Sequence, residues 1–129
     1  MKRVIPGAMG LFLAMAWAGG SCANAEATPP VVTWTAEWSN RFAGEGGVWV
    51  FALTVREGVV SGTVLVEGVS YAVEGMREGT WWELTWKNAA GRVTQVRAAG
   101  GEAEWRGTVL SGGDGGLVAY ARMRARRTE

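Results

Sequence analysis

The sequence contains no histidine, the side chain that most often serves as a general base near neutral pH. Its only cysteine is Cys22, and its only aspartate is Asp114, set among glycines. Downstream of Cys22 there is no thiol to act as a nucleophile or to hold zinc, and no disulfide can staple the fold. The glutamates fall in turns or on polar strand faces, and their spacing singles out no acid–base pair. These absences argue against an enzyme and against a metal or other cofactor. Helical periodicity is missing too: after residue 25 no stretch repeats its apolar positions every 3.6 residues. Stability has to come from packed strands.

An excess of charge of one sign is also lacking. Lysine and arginine number 13 against 12 acidic residues, and without Lys2 and Arg3 the balance is eleven to twelve. A near-neutral chain carries no nucleic-acid footprint; Arg122, Arg124, Arg126 and Arg127 read as a solvated end. The one long apolar run, Ala8 to Ala18, follows Lys2 and Arg3 and precedes Ala23-Asn24-Ala25. That order reads as a secretory signal peptide with a small-residue cleavage site, and the run is shorter than the roughly 20 residues a membrane helix needs. Cys22 has a second reading as a lipid anchor, although Gly19 stands where bacterial lipoproteins usually carry an aliphatic residue. The expected organisation is a signal peptide over 1–25, a stiff linker over 26–31, a domain over 32–124 and a basic tail over 125–129. The expected location is extracytoplasmic: secreted, periplasmic or lipid-anchored.

What the chain does contain is alternation. In the stretch Val48 to Glu67, Trp49, Phe51, Leu53 and Val55 share one parity, as do Val60, Gly62, Val64 and Val66 after the Glu57-Gly58 turn. A period of two with β-branched and aromatic residues marks two half-buried strands of a hairpin. The same pattern extends both ways. Strand one is expected over Val32 to Trp38, with Trp34, Ala36 and Trp38 inward, and Ser39 to Gly47 as the longest loop. Strand four carries Tyr71 and Val73 and is expected to end or bulge at Gly75. Strand five sets Trp82, Leu84 and Trp86 against Trp81, Glu83, Thr85 and Lys87. Strand six covers Arg92 to Ala98. Strand seven turns Ala103, Trp105, Gly107 and Val109 inward. Strand eight, Leu117 to Arg124, is read with Leu117, Ala119, Ala121 and Met123 inward.

Turn glycines recur every ten to twelve residues, from Gly58 to Gly113, as in an antiparallel meander, sandwich or barrel. Eight strands joined by tight turns remove their exposed edges by closing. The expected fold is therefore all-β, a single eight-stranded antiparallel up-and-down barrel. Gly62-Thr63-Val64-Leu65 recurs as Gly107-Thr108-Val109-Leu110, in strands that face each other across such a barrel. Each glycine is expected to let a neighbouring tryptophan lie across its strand. Short turns at both ends and a terminus of Arg-Arg-Thr-Glu differ from outer-membrane barrels, which carry long loops on one side. A barrel that does not span a membrane is expected.

Eight tryptophans are present, and all but Trp17 follow the leader. Trp49, Tyr71, Trp82, Trp86 and Trp105 are the expected lining of a cup for a small apolar or planar ligand. The alternative is that they fill a solid barrel, which then works through its outer face. Trp81 lies on the outward parity and is the candidate contact for a protein partner or a sugar.

Leu84-Thr85-Trp86-Lys87-Asn88, with Gly62-Thr63 in strand three, resembles the corresponding segments of the avidin and streptavidin family, eight-stranded barrels that hold biotin. The resemblance implies that Trp86 lines a ligand cup. Val93-Thr94-Gln95-Val96 lacks that family's tryptophan and paired hydroxyls, and the last strand has no counterpart of its aspartate. Across residues 26–129, the rhythm of tryptophans, glycines and Gly-Thr pairs is similar to exported bacterial calycin-like, or lipocalin-like, barrels, which implies a fold and no activity.

Overall fold

A computed structural model describes residues 29–113 and 115–128. The expected signal peptide, Cys22 and Asp114 lie outside the described residues. Eight strands follow one another: β1 (Val32–Asn40), β2 (Glu45–Arg56), β3 (Val59–Val66), β4 (Val69–Glu78), β5 (Trp81–Lys87), β6 (Val93–Gly100), β7 (Glu104–Gly113) and β8 (Gly116–Thr128). Each pairs antiparallel with the next, and β8 pairs with β1 from Thr33↔Thr128 to Ser39↔Arg122. The sheet is a closed barrel, and no edge strand is left to pair with another chain. The all-β, eight-stranded antiparallel barrel expected from the alternation is the observed fold.

Two hairpins turn on Glu57-Gly58 (φ 53° and 83°) and Glu67-Gly68 (φ 50° and 83°). Positive φ at both central residues matches the right-handed twist of the flanking strands, the geometry of a type I′ turn. The β2–β3, β4–β5 and β6–β7 turns and both ends of the described chain lie at what we call the lower end. The other four connections form the upper end.

The interior is filled by setting large side chains against small ones across the ladders. Trp49 faces Ala36, Ala36 faces Ala125, and Ala125 faces Trp105. Trp82 faces Ala98, Ala98 faces Gly107, and Gly107 faces Met123. An eight-stranded barrel is just wide enough for its side chains to fill, and these small partners leave room for rings from other strands to meet across the interior.

At Gly62 and Gly107 the structure corrects the expectation that glycine makes room for tryptophan. A Cβ at Gly62 would lie 2.0 Å from the carbonyl oxygen of Ala52, and one at Gly107 2.0 Å from that of Arg97. The space belongs to the backbone of the adjoining strand, and glycine permits that close approach.

Three further expectations are corrected. The loop over 39–47 is mostly strand: Trp38 pairs Gly47 and Asn40 pairs Glu45, leaving 41–44 as the turn. Asn40 Oδ1 accepts the N–H groups of Phe42 (3.0 Å) and Ala43 (3.1 Å) and so closes that turn locally. β4 does not end at Gly75; it continues to Glu78, which carries Arg77 onto the inward parity. In β8 the register shifts between Val109 and Leu110 of its partner, with Ala121 and Ala119 opposite and Tyr120 as the extra residue. Ala121 and Met123 are buried as expected, but Leu117 and Ala119 are exposed, because a bulge reverses the facing of the strand beyond it. The same strand runs past Arg124 to Thr128.

Candidate functional site

Alternation along β1, β2, β5 and β7 sends seven large rings into the barrel, where they meet in one column. Near the lower end Trp82 and Trp105 stack at 4.9 Å and 18°, and Trp34 meets both edge-on at 5.5 and 5.4 Å. Phe51 links this group upward, 5.8 Å from Trp105 and 5.7 Å from Trp86. Trp49 stands perpendicular to Trp86 at 5.1 Å and stacks on Trp38 at 5.4 Å. Tyr120, placed by the β8 bulge, lies 5.7 Å from Trp38. Edge-to-face and offset contacts of this kind add roughly 0.5–1.5 kcal/mol each to the burial of the rings.

The five candidate lining residues therefore share one interior but not one cup. Trp105 is 0% and Trp82 1% exposed, and both indole N–H groups are buried with no hydrogen-bond partner. Trp86 and Trp49 are buried against each other higher up, and Tyr71 is half-buried against the core beside Val64. Trp81 is 42% exposed on the outer face, between Glu78 of β4 and Ala99 of β6.

Open space occurs at both ends of the column. The upper mouth is a depression of about 730 Å³ whose walls include Trp38, Trp49, Tyr120, Glu45, Arg92 and Ser111. Its rim is held by two polar contacts. Arg92 Nε donates to Ser111 Oγ at 3.0 Å, and the Tyr120 hydroxyl donates to the Glu45 carboxylate. The bond to Glu45 favours the protonated phenol and raises the Tyr120 pKa above its ordinary value. The lower mouth holds a smaller cavity of about 280 Å³, bordered by Trp34, Trp82, Leu53, Arg77, Glu102 and Arg127.

Trp38 lay on the inward parity in the sequence, so its place here was legible. Tyr120 was not, because only the bulge turns it toward Trp38. Arg77 and Arg127 share the parity of Val73 and Ala125 and become visible once β4 and β8 are read to their full lengths.

The chain matches no protein-family model and no curated protein. The closed antiparallel eight-stranded barrel is compatible with a calycin-like fold, and the likeness to avidins and lipocalins rests on the segments quoted above.

Proposed function

We propose that the protein is a non-enzymatic binding module that works outside the cytoplasm and takes a small apolar or planar ligand into the upper mouth. One observation carries this reading: the interior aromatic column ends at an open depression, with Trp38, Trp49 and Tyr120 around it. Three of its lining residues are aromatic, set among glycines and polar side chains, and aromatic surface with polar groups at the rim suits a planar ligand. Arg92, Ser111 and Glu45 supply those groups. The centre of the barrel serves as packing under this reading, so the ligand rests on the column and does not enter it.

A role away from the membrane interior is supported by the outward faces, which carry Thr35, Glu37, Glu74, Glu83, Arg97, Arg106, Arg122, Arg124 and Arg126. Among the described residues no helix is long and apolar enough to cross a membrane. Export rests on the leader pattern of residues 1–25. A second reading, in which the outer face docks a protein, is favoured by the exposure of Trp81.

The test is tryptophan fluorescence of the full chain titrated with biotin, a fatty acid, haem and simple aromatic compounds. A saturable change with one of them, lost in Trp38→Ala, is the expected result. An emission spectrum that none of them moves, or a titration indifferent to Trp38→Ala, overturns the upper-mouth reading.

A further inference from the structure

The lower mouth combines aromatic walls with two arginines that make no ion pair among the described residues. Arg77 reaches it because β4 keeps its inward parity past Gly75. Its guanidinium carbon lies 4.8 Å over the Trp82 ring, and its Nε donates to the Gly79 carbonyl at 3.2 Å. Stacking on the ring and a single backbone bond fix the guanidinium plane and leave its two terminal nitrogens without an acceptor among the described residues. Arg127 stands across the mouth, opposite Trp34 in the β1–β8 ladder. Among the described residues neither arginine has a carboxylate within ion-pair distance. Four outward arginines differ: Arg106 and Arg126 pair with Glu104, Arg124 with Glu37 and Arg97 with Glu83.

The rest of the cavity is mostly apolar. Trp34, Trp82, Leu53 and Val55 border it, and Glu102 is the one acidic residue at its edge. The Trp82 N–H is buried without an acceptor, as is that of Trp105 in the sealed core. A cavity of about 280 Å³ is near the small end of ligand sites, with room for a single aromatic ring and its acid group.

We propose that the lower mouth is a second binding site, for a small planar carboxylate, with the ring against Trp34, Trp82 and Leu53 and the carboxylate between Arg77 and Arg127. Guanidinium groups bind carboxylates through paired N–H donors, and Arg77 is already oriented for this by its ring contact. The site shares no residue with the upper mouth, so it stands or falls independently of the function proposed above.

Benzoate is the probe, with benzamide as its neutral counterpart, added to the full chain labelled with ¹⁵N so that each indole N–H is read separately by NMR. The expected result is saturable movement of the Trp34 and Trp82 resonances with benzoate. Benzamide, or benzoate with Arg127→Gln, should bind about tenfold more weakly, as fits the loss of one charge-assisted contact. Arg127 is exposed near the end of β8, so its replacement should leave the resonance of the sealed Trp105 in place. Trp38→Ala should leave benzoate affinity unchanged. No saturable movement of Trp34 and Trp82, equal affinity for benzamide and benzoate, or full affinity in Arg127→Gln each overturns the proposal.

Discussion

Trp105 is enclosed by Trp34, Phe51 and Trp82 and has no exposed surface. Truncation there removes a large buried ring that its rigid neighbours cannot replace. Trp105→Ala is expected to cost about 3–5 kcal/mol in urea unfolding, whereas Trp81→Ala on the outer face should fall within about 0.5 kcal/mol of the parent. Tyr120 makes a different kind of contribution. Its phenol holds its proton more tightly when folded, because the hydroxyl donates to Glu45. Such a group stabilises fully below its unfolded pKa, about 10, and loses that contribution as the pH rises through the folded value. The stability of the parent should therefore fall faster above pH ~10 than that of Tyr120→Phe, as compared by urea midpoints. Glu104 has the opposite sign. A hydrogen bond from Arg106 holds its carboxyl below the ordinary value, and what it adds is present above the usual carboxylate range and lost on acidification.

At the scale of the strand and the turn, backbone geometry sets the tolerances. Glu57 occupies a left-handed conformation (φ 53°) in which a side chain with a Cβ is strained and asparagine is better accommodated. Glu57→Asn is expected to stabilise by about 0.5 kcal/mol, read as a higher urea midpoint at unchanged slope. The glycines of the repeated Gly-Thr-Val-Leu segment are intolerant for another reason. A methyl group at Gly62 or Gly107 meets a carbonyl oxygen of the adjoining strand at 2.0 Å. Both strands would have to move apart, so Gly62→Ala and Gly107→Ala should each cost about 2 kcal/mol or more. Their similar penalties would reflect that β3 and β7 make the same approach on opposite sides of the barrel.

Closure is a property of the whole molecule. The seam between β1 and β8 joins the first and last strands, and four of its seven register pairs lie beyond Arg124, from Ala36↔Ala125 to Thr33↔Thr128. Truncation after Arg124 leaves half of β1 without its partner on the β8 side and takes away Ala125, which packs opposite both Ala36 and Trp105. The expected outcome is loss of the near-ultraviolet circular dichroism of the tryptophan cluster, with β-sheet signal partly retained. A truncated chain that keeps the full aromatic signal would show that the seam is not needed to order the core.

Alternation and turn glycines determined the architecture from the sequence alone. A period of two with no competing helical period leaves strands, and eight of them on short turns have closure as the way to remove both edges. Inward residues such as Trp34, Phe51, Trp86 and Trp105 were legible for the same reason: parity is a local property and survives any error in strand ends. Other features depended on contacts between distant segments, and only the tertiary structure decided them. The ladders extended β1, β2 and β4 through residues whose own preference is for loops, because pairing with a neighbour offsets weak local propensity. The bulge at Tyr120 reversed the facing of Leu117 and Ala119, since one unpaired residue shifts every side chain beyond it to the other face. Where the six inward tryptophans meet was also decided by packing: ring against ring closes the centre of the barrel, and the open space is displaced to its two mouths.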